Sequence, residues 1–226
     1  MKVFSGIPRD DLSKIPDRAA WVETMGYDGI NTNEDFSSPF MALTMAAEHT
    51  HKALLGTSIA VVFPLSPMNV AYMSWELQKY SHGRFQLGMG SQVKGHNERR
   101  FGGSWSPAAP RMKEYIRMMK AIWNSWQNGT EADFLGKEYR YTLMTPNFNP
   151  GPLECEQPKV YLAVVGPAMA RVAGEVADGV LPHGGIMTDR YMREVLLPNV
   201  KIGLERSGRS WADIDLSLSG YLILGE

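Results

Sequence analysis

Short apolar runs alternate along the chain with longer segments in which apolar residues recur every three or four positions. The apolar runs predict seven β-strands, at residues 3–7, 27–32, 54–63, 85–90, 159–165, 179–182 and 216–224. The amphipathic segments predict six helices, at residues 11–25, 39–52, 66–80, 107–128, 167–177 and 188–207. Strict alternation of strands and helices favours parallel strands that are joined by crossover helices.

Residues 129–158 interrupt the alternation, because glycine and proline recur throughout them. We predict an excursion from the regular pattern there, with a short hairpin around residues 134–143. No repeat, low-complexity tract or linker divides the chain, so residues 1–226 are interpreted as one domain.

Two architectures fit this order of elements: a doubly wound sheet and a (β/α)8 barrel. The barrel needs eight strands and usually about 250 residues, whereas seven strands are predicted here. The barrel interpretation therefore implies that the eighth βα unit is lacking at the C-terminus, through loss from the chain or as a natural feature. An incomplete barrel would leave strand edges open to pairing with another chain.

Composition narrows the class of partner. The chain is 44% hydrophobic and 21% charged, with a formal net charge of −1. This balance gives no electrostatic reason to expect nucleic acid or an anionic membrane surface as a partner. No apolar run approaches the roughly 18 residues that span a bilayer, and the N-terminal stretch lacks the features of a signal peptide. Cys155 is the only cysteine, which excludes an internal disulfide, and we expect a cytoplasmic protein.

The candidate chemistry lies just after the predicted strands, where parallel α/β proteins bind their ligands. The polar candidates are Glu34 and Asp35 after the second strand, Ser91, Gln92 and Asn97 after the fourth, and His183 after the sixth. The same strand ends carry Phe36, Phe63 and Trp105, which predict the wall of a substrate pocket for a flat organic molecule. Each polar residue also has a structural alternative: a helix cap or solvated loop, or, for His183, a hydrogen-bonded core histidine.

The histidines do not show metal-ligand spacing. His49 and His51 are two residues apart on a predicted helix, so they do not share a face. We predict no metal site.

The stretch VVGPAMARVAGEVADG, residues 164–179, passes from a strand into a helix. It lacks the G-x-G-x-x-G and G-x-x-x-x-G-K-[ST] fingerprints. The start of its helix offers free N–H groups and partial positive charge, both suited to a phosphate. Alternatively, its small residues only allow the helix to pack closely on the sheet. The residues alone leave both interpretations open.

Four stretches in order, residues 26–40, 54–92, 111–123 and 160–184, resemble the bacterial luciferase-like superfamily of flavin- and deazaflavin-dependent oxidoreductases. They are most similar to the branch that uses coenzyme F420, a deazaflavin hydride carrier. The resemblance implies a TIM barrel, a homodimer, a small-molecule substrate and a cofactor lying across the strand ends. It also implies a cis peptide bond between Ser58 and Ile59 behind the deazaflavin ring. Backbone amides of Val164, Val165 and Gly166 would hold the cofactor phosphate, with His183 beside it.

The chain departs from this family pattern at two places. Sugar-phosphate dehydrogenases of the family carry an Asp-His pair where this chain has Glu34 and Asp35, and a glutamate where it has Ser91, Gln92 and Val93. We therefore take Asp35 and Glu34 as the catalytic candidates, and we assign proton transfer to Asp35 and contact with the cofactor ring or its chain to Glu34. Ser91, Gln92 and Asn97 would complete the polar wall.

The functional hypothesis is an F420-dependent oxidoreductase that moves a hydride between the deazaflavin and a small organic substrate. One alternative is an FMN-dependent monooxygenase on the same fold. Another is a non-catalytic flavin-binding protein or a truncated barrel.

Overall fold

Seven parallel strands form one curled sheet in a computed structural model that describes residues 1–7, 10–35, 37–186 and 188–218. With the short β4 and the two strands of a separate hairpin, β6 and β7, the described residues form ten strands: β1 (Phe4–Gly6), β2 (Gly29–Thr32), β3 (Leu54–Thr57), β4 (Ala60–Val61), β5 (Phe85–Gly90), β6 (Phe134–Leu135), β7 (Arg140–Tyr141), β8 (Lys159–Val164), β9 (Gly179–Pro182) and β10 (Asp215–Leu216). The main sheet has the order β1-β2-β3-β5-β8-β9-β10, and β4 extends the third position alongside β5.

The strand order follows the chain order without reversal, as in a (β/α)8 barrel. A doubly wound sheet reverses its order at a switch point, so the structure removes that alternative and confirms the barrel-type fold. The strands predicted at residues 85–90 and 179–182 form as predicted, while residues 54–63 divide into β3 and β4. The last predicted strand, at residues 216–224, lies within the described part of the chain only as far as residue 218, and β10 covers Asp215–Leu216 there.

Helices cover the outer face of the sheet: α1 (Ile15–Thr24), α2 (Pro39–Glu48), α3 (Pro67–Tyr80), α4 (Lys94–Arg99), α5 (Ala108–Asn128), α6 (Pro167–Val176), α7 (Asp189–Tyr191) and α8 (Leu197–Arg206). No helix is predicted from the sequence at the position of α4, because six residues are too few to show an apolar period. A π-helical turn, Met192–Leu196, joins α7 to α8. Pro198 follows it and accounts for the turn, since proline has no N–H and crowds the carbonyl four residues earlier.

Aromatic packing between α3 and α5 forms the centre of the core. The Trp75 ring lies 6.4 Å from that of Trp123 and 5.4 Å from that of Trp126, and all three are buried. The apolar stripe of α5 is therefore core packing, as its period predicts. The excursion at residues 129–158 contains the predicted hairpin, β6–β7, and is anchored on α3 by the bond from Trp75 Nε1 to the Gly151 carbonyl, 3.1 Å.

Two glycines allow close backbone contacts between elements of the fold. A Cβ on Gly88 would lie 1.8 Å from the Thr57 carbonyl oxygen, so β3 and β5 can adopt their spacing only with glycine there. A Cβ on Gly174 would lie 2.2 Å from the Val200 carbonyl oxygen, so the α6–α8 crossing also requires glycine. The small residues of α6 therefore serve helix packing. This packing does not decide whether the N-terminus of the same helix binds a phosphate.

Candidate functional site

A cavity of about 340 Å³ opens at the carboxyl ends of the strands. Its volume lies within the range of small-molecule sites. Three strand ends line it, through Ser58 and Ile59 after β3, Ala163, Val164 and Val165 at the end of β8, and Leu181, Pro182, His183, Gly184 and Gly185 at the end of β9. The structure thus brings together five of the predicted cofactor-binding residues from three separate parts of the sequence.

One wall of the cavity is the segment between β3 and β4. The Ser58–Ile59 peptide bond is cis, as the family resemblance implied. The Ser58 N–H donates to the Thr32 carbonyl at 2.7 Å, and the Glu34 N–H donates to the Ile59 carbonyl at 3.0 Å. The Glu34 carboxylate accepts the Val61 N–H at 2.8 Å. Glu34 therefore contacts this wall through both its backbone and its side chain.

Glu34 and Asp35 lie in different electrostatic environments. Burial raises the pKa of the half-buried Glu34 carboxyl, and this effect exceeds the opposing influence of the Val61 N–H and the Arg100 guanidinium. Asp35 is exposed, and its Oδ1 accepts a hydrogen bond from Asn33 Nδ2 at 2.9 Å. Arg100 Nη2 donates to the Asp35 carbonyl at 2.8 Å and so fixes the backbone of this pair. The two adjacent carboxylates can thus have separate roles.

The opposite side of the cavity is the turn from β8 into α6. Val164 is fully buried as the last residue of the strand, whereas Val165 is 59% exposed. Gly166 is the N-cap residue of α6 and provides no side chain to cap the helix, and a Cβ built on it meets no atom within 4 Å. Val164 and Val165 therefore contribute to the cavity wall, and Gly166, which precedes Pro167, is absent from the described residues that line the cavity.

Two neighbouring residues hold this turn in place. The exposed His183 donates its N–H to the Val164 carbonyl at 3.2 Å, and its Nδ1 accepts the Gly185 N–H at 3.2 Å. The Tyr191 hydroxyl donates to the Val165 carbonyl. Tyr191 is not among the site residues predicted from the sequence. It lies in a polar helical segment, and nothing in that segment indicates a contact with a turn 26 residues earlier.

The predicted polar wall after β5 hydrogen-bonds within its own loop. Ser91 Oγ donates to the Gln92 carbonyl at 3.0 Å, and Gln92 Oε1 accepts the Val93 N–H at 2.9 Å. Asn97 is 3% exposed and donates both amide hydrogens, to the Ser91 and Val93 carbonyls at 2.9 and 3.0 Å. Ser91, Gln92 and Asn97 are absent from the described residues that line the cavity. These hydrogen bonds stabilise the loop after β5, and contact with a cofactor stays a prediction for the three residues.

Part of the predicted aromatic wall lies in the hydrophobic core. Phe63 is only 5% exposed, with the Arg111 guanidinium 4.2 Å from its ring centre and the Trp105 ring at 6.2 Å. Arg111 also donates to Tyr139 Oη at 2.7 Å and so ties the β6–β7 hairpin to this region. Trp105 remains half-buried, and Phe36 lies outside the described residues. Phe63 therefore lies mostly within the core, and direct substrate contact stays a prediction for Phe36, Phe63 and Trp105.

The described residues contain no group of three or more histidine, cysteine, aspartate or glutamate side chains placed to hold a metal ion. In the same part of the chain, no helix has the length and apolar character needed to cross a membrane.

Comparison with curated proteins gives two informative relatives. An uncharacterized protein of Mycobacterium tuberculosis is 43% identical over 225 residues, which cover 100% of this chain and 66% of the relative. An F420-dependent glucose-6-phosphate dehydrogenase of Gordonia bronchialis is 30% identical over 225 residues, which cover 91% of this chain and 62% of the relative. The chain thus spans less than two thirds of the length of these relatives.

Comparison with solved structures and family models agrees with the geometry. The coenzyme F420-dependent tetrahydromethanopterin reductase of Methanopyrus kandleri matches with a TM-score of 0.76 at 23% identity, over 96% of this chain and 65% of that one. That likeness shows a shared barrel-type fold. Residues 3–226 match the family model described as luciferase-like monooxygenase. The resemblance seen in the sequence is confirmed, and the chain belongs to the luciferase-like monooxygenase family.

Proposed function

We propose that the chain forms the cofactor-binding part of an F420-dependent oxidoreductase, which moves a hydride between the deazaflavin and a small organic substrate. Support for F420 comes from the similarity to an F420-dependent dehydrogenase at 30% identity. The observation that carries the proposal is the cavity between Ser58–Ile59 on one side and the β8–α6 turn with His183 on the other. Its position at the strand ends is where barrel enzymes bind ligands.

The residues present fit a cofactor that carries a phosphate. Gly166 leaves open space at the start of α6, a ten-residue helix whose first N–H groups are not capped by a side chain. Helix N-termini of this kind attract anions through free N–H groups and the helix dipole. Val165 and Gly166 would hold the phosphate, and His183, whose backbone N–H donates to the Val164 carbonyl, would add a ring N–H. The wall at Ser58 and Ile59 would support the ring system.

When bound, the deazaflavin supplies the hydride chemistry, and the protein supplies binding, orientation and proton transfer. The exposed Asp35 is the candidate that gives or takes the substrate proton, since an accessible carboxylate can exchange protons with solvent between turnovers. Ser58 and Ile59 would cover one face of the cofactor and keep water away from it.

Two measurements test this proposal. Titration with F420 should change the fluorescence of the cofactor, with saturation at one equivalent per chain. Asp35→Asn should lower kcat for glucose 6-phosphate, the substrate in the name of the Gordonia relative, and leave the F420 dissociation constant within about twofold. Unchanged turnover in this variant would remove Asp35 from the mechanism. A chain that binds F420 but does not turn over this sugar phosphate has a different substrate.

The family description favours one other function, an FMN-dependent monooxygenase. A parallel titration with FMN separates the two functions, because each cofactor has its own absorption spectrum. Saturable binding of FMN without binding of F420 would favour the monooxygenase, and binding of neither would favour a non-catalytic role. The homodimer implied by the family resemblance remains a prediction, which light scattering of the purified protein can measure.

A further inference from the structure

The wall of the cavity lies where the regular sheet ends. The β2–β3 ladder ends at the pair Thr32 and Thr57, and the Ser58 N–H makes one more bond to the Thr32 carbonyl. The chain then continues as β4, which pairs only with β5 among the described strands. Val62 donates its N–H to the Gly90 carbonyl of β5 at 3.1 Å. On the other side of β4, no strand of the described residues continues the ladder.

Val61 has its N–H on this unpaired side. The residue is 2% exposed, so an unsatisfied N–H there would be buried and costly. Glu34 supplies the missing acceptor through Oε2 at 2.8 Å. Its own backbone N–H donates to the Ile59 carbonyl at 3.0 Å. One residue thus makes two bonds that span the segment from Ile59 to Val61.

We propose that Glu34 is a positioning residue, which acts in place of a neighbouring strand and fixes the segment that presents Ser58 and Ile59 to the cavity. The identity of the ligand in this inference rests on the proposed function. The role differs from the direct cofactor contact expected for Glu34 from the sequence, because it needs an acceptor oxygen for the Val61 N–H and no contact with the cofactor.

A glutamine can perform the proposed role and cannot perform acid–base catalysis. Glu34→Gln keeps an oxygen that accepts the Val61 N–H, whereas Glu34→Ala and Glu34→Met have none. The methionine keeps the length and apolar stem of the side chain, and it replaces the alanine variant if the latter does not fold. Glu48→Ala, at an exposed position on α2, is the matched control for the loss of a glutamate.

The first measurement is amide hydrogen exchange at Val61, which needs no cofactor. We expect slow exchange in the wild type, in Glu34→Gln and in Glu48→Ala. Exchange should become at least about tenfold faster in Glu34→Ala or Glu34→Met, because the amide loses its acceptor. Unchanged exchange in those variants would overturn the proposal.

The second measurement is the dissociation constant of F420, read from its fluorescence. We expect it to rise about tenfold in Glu34→Ala or Glu34→Met and to stay within about twofold in Glu34→Gln. Faster exchange at Val61 with unchanged affinity would show that the bond does not position the site. An equal loss of affinity in Glu34→Gln and Glu34→Ala would show that the charge of Glu34 acts directly, and it too would overturn the proposal.

Failure of the proposed function gives a different result. The wild type would then not bind F420 at all, while exchange at Val61 would still respond to Glu34. In that case the same comparison of variants is made with FMN, and its outcome decides the positioning role by the same criteria.

Discussion

Gly166→Ala separates binding from folding more cleanly than any other change in the site. The backbone at Gly166 has φ −113° and ψ 165°, an extended conformation that alanine adopts without strain. The new Cβ would meet no atom within 4 Å. Alanine is a poorer N-cap than glycine, by about 0.5–1 kcal/mol, and it restricts the unfolded chain by about 0.4–1 kcal/mol in the opposite sense. The net change in the free energy of unfolding should therefore stay below about 1 kcal/mol.

The effect on ligand binding should be larger. A methyl group at Gly166 occupies the open space through which a phosphate would approach the N–H groups at the start of α6. Loss of one charge-assisted hydrogen bond corresponds to about 1.5–3 kcal/mol. At about 1.4 kcal/mol for each tenfold change, the dissociation constant of F420 should rise roughly 10- to 100-fold.

Fluorescence titration and urea unfolding of the same preparations measure the two quantities. Gly95→Ala is the matched control, because Gly95 also has open space at its Cβ position but lies on α4. The control should keep the affinity for F420. An affinity within about twofold of wild type in Gly166→Ala would refute the assignment of the phosphate to this turn. A large loss of stability in Gly166→Ala would contradict the expectation that the added methyl group meets no neighbouring atom.

Three further changes test the fold and its response to pH. Gly88→Ala should lower the free energy of unfolding in urea by about 1–3 kcal/mol or more, since its Cβ meets the Thr57 carbonyl at 1.8 Å; a loss below 0.5 kcal/mol, taken as roughly the effect of an ordinary surface change, would contradict this. Glu23→Ala should lower it by about 1–3 kcal/mol, because the Glu23 carboxylate accepts the N–H groups of residues 51–53 at 2.6–3.0 Å. Burial alone would raise the pKa of Glu23, but these hydrogen bonds outweigh it and lower the pKa. The stabilisation by Glu23 is therefore full above the usual pKa of a glutamate and is lost as pH falls through the lowered pKa. Acid unfolding of Glu23→Gln should lack that loss. The raised pKa of Glu34 has the opposite effect on stability: the stabilisation by Glu34 is full below the usual pKa of a glutamate and is lost as pH rises through the raised pKa. The Tm of the wild type relative to that of Glu34→Gln should therefore fall over this pH range. A Tm difference that stays constant with pH would contradict this expectation.

The candidate site was predicted unevenly, for a reason that lies in its geometry. The residues that line the cavity, such as Ser58, Val165 and His183, follow directly after strands, and parallel strands bring their ends together. Their meeting is a consequence of topology, which the sequence predicts. The groups after β5 also follow a strand, but Asn97 and Gln92 bond to their own loop. Distance along the chain does not show where a side chain finds its hydrogen-bond partner.

The sequence by itself determined the order of strands and helices, the absence of an internal disulfide and the family. These properties depend on local periodicity, on composition and on ordered motifs, all of which are present before the chain folds. The sheet order then removed the doubly wound alternative, because pairing of strands is a non-local property. Only the tertiary structure showed that the Glu34 carboxylate meets the Val61 N–H and that Phe63 lies under Arg111. Such contacts join residues 27 and 48 positions apart, and burial, which decides their roles, arises only when the elements pack together.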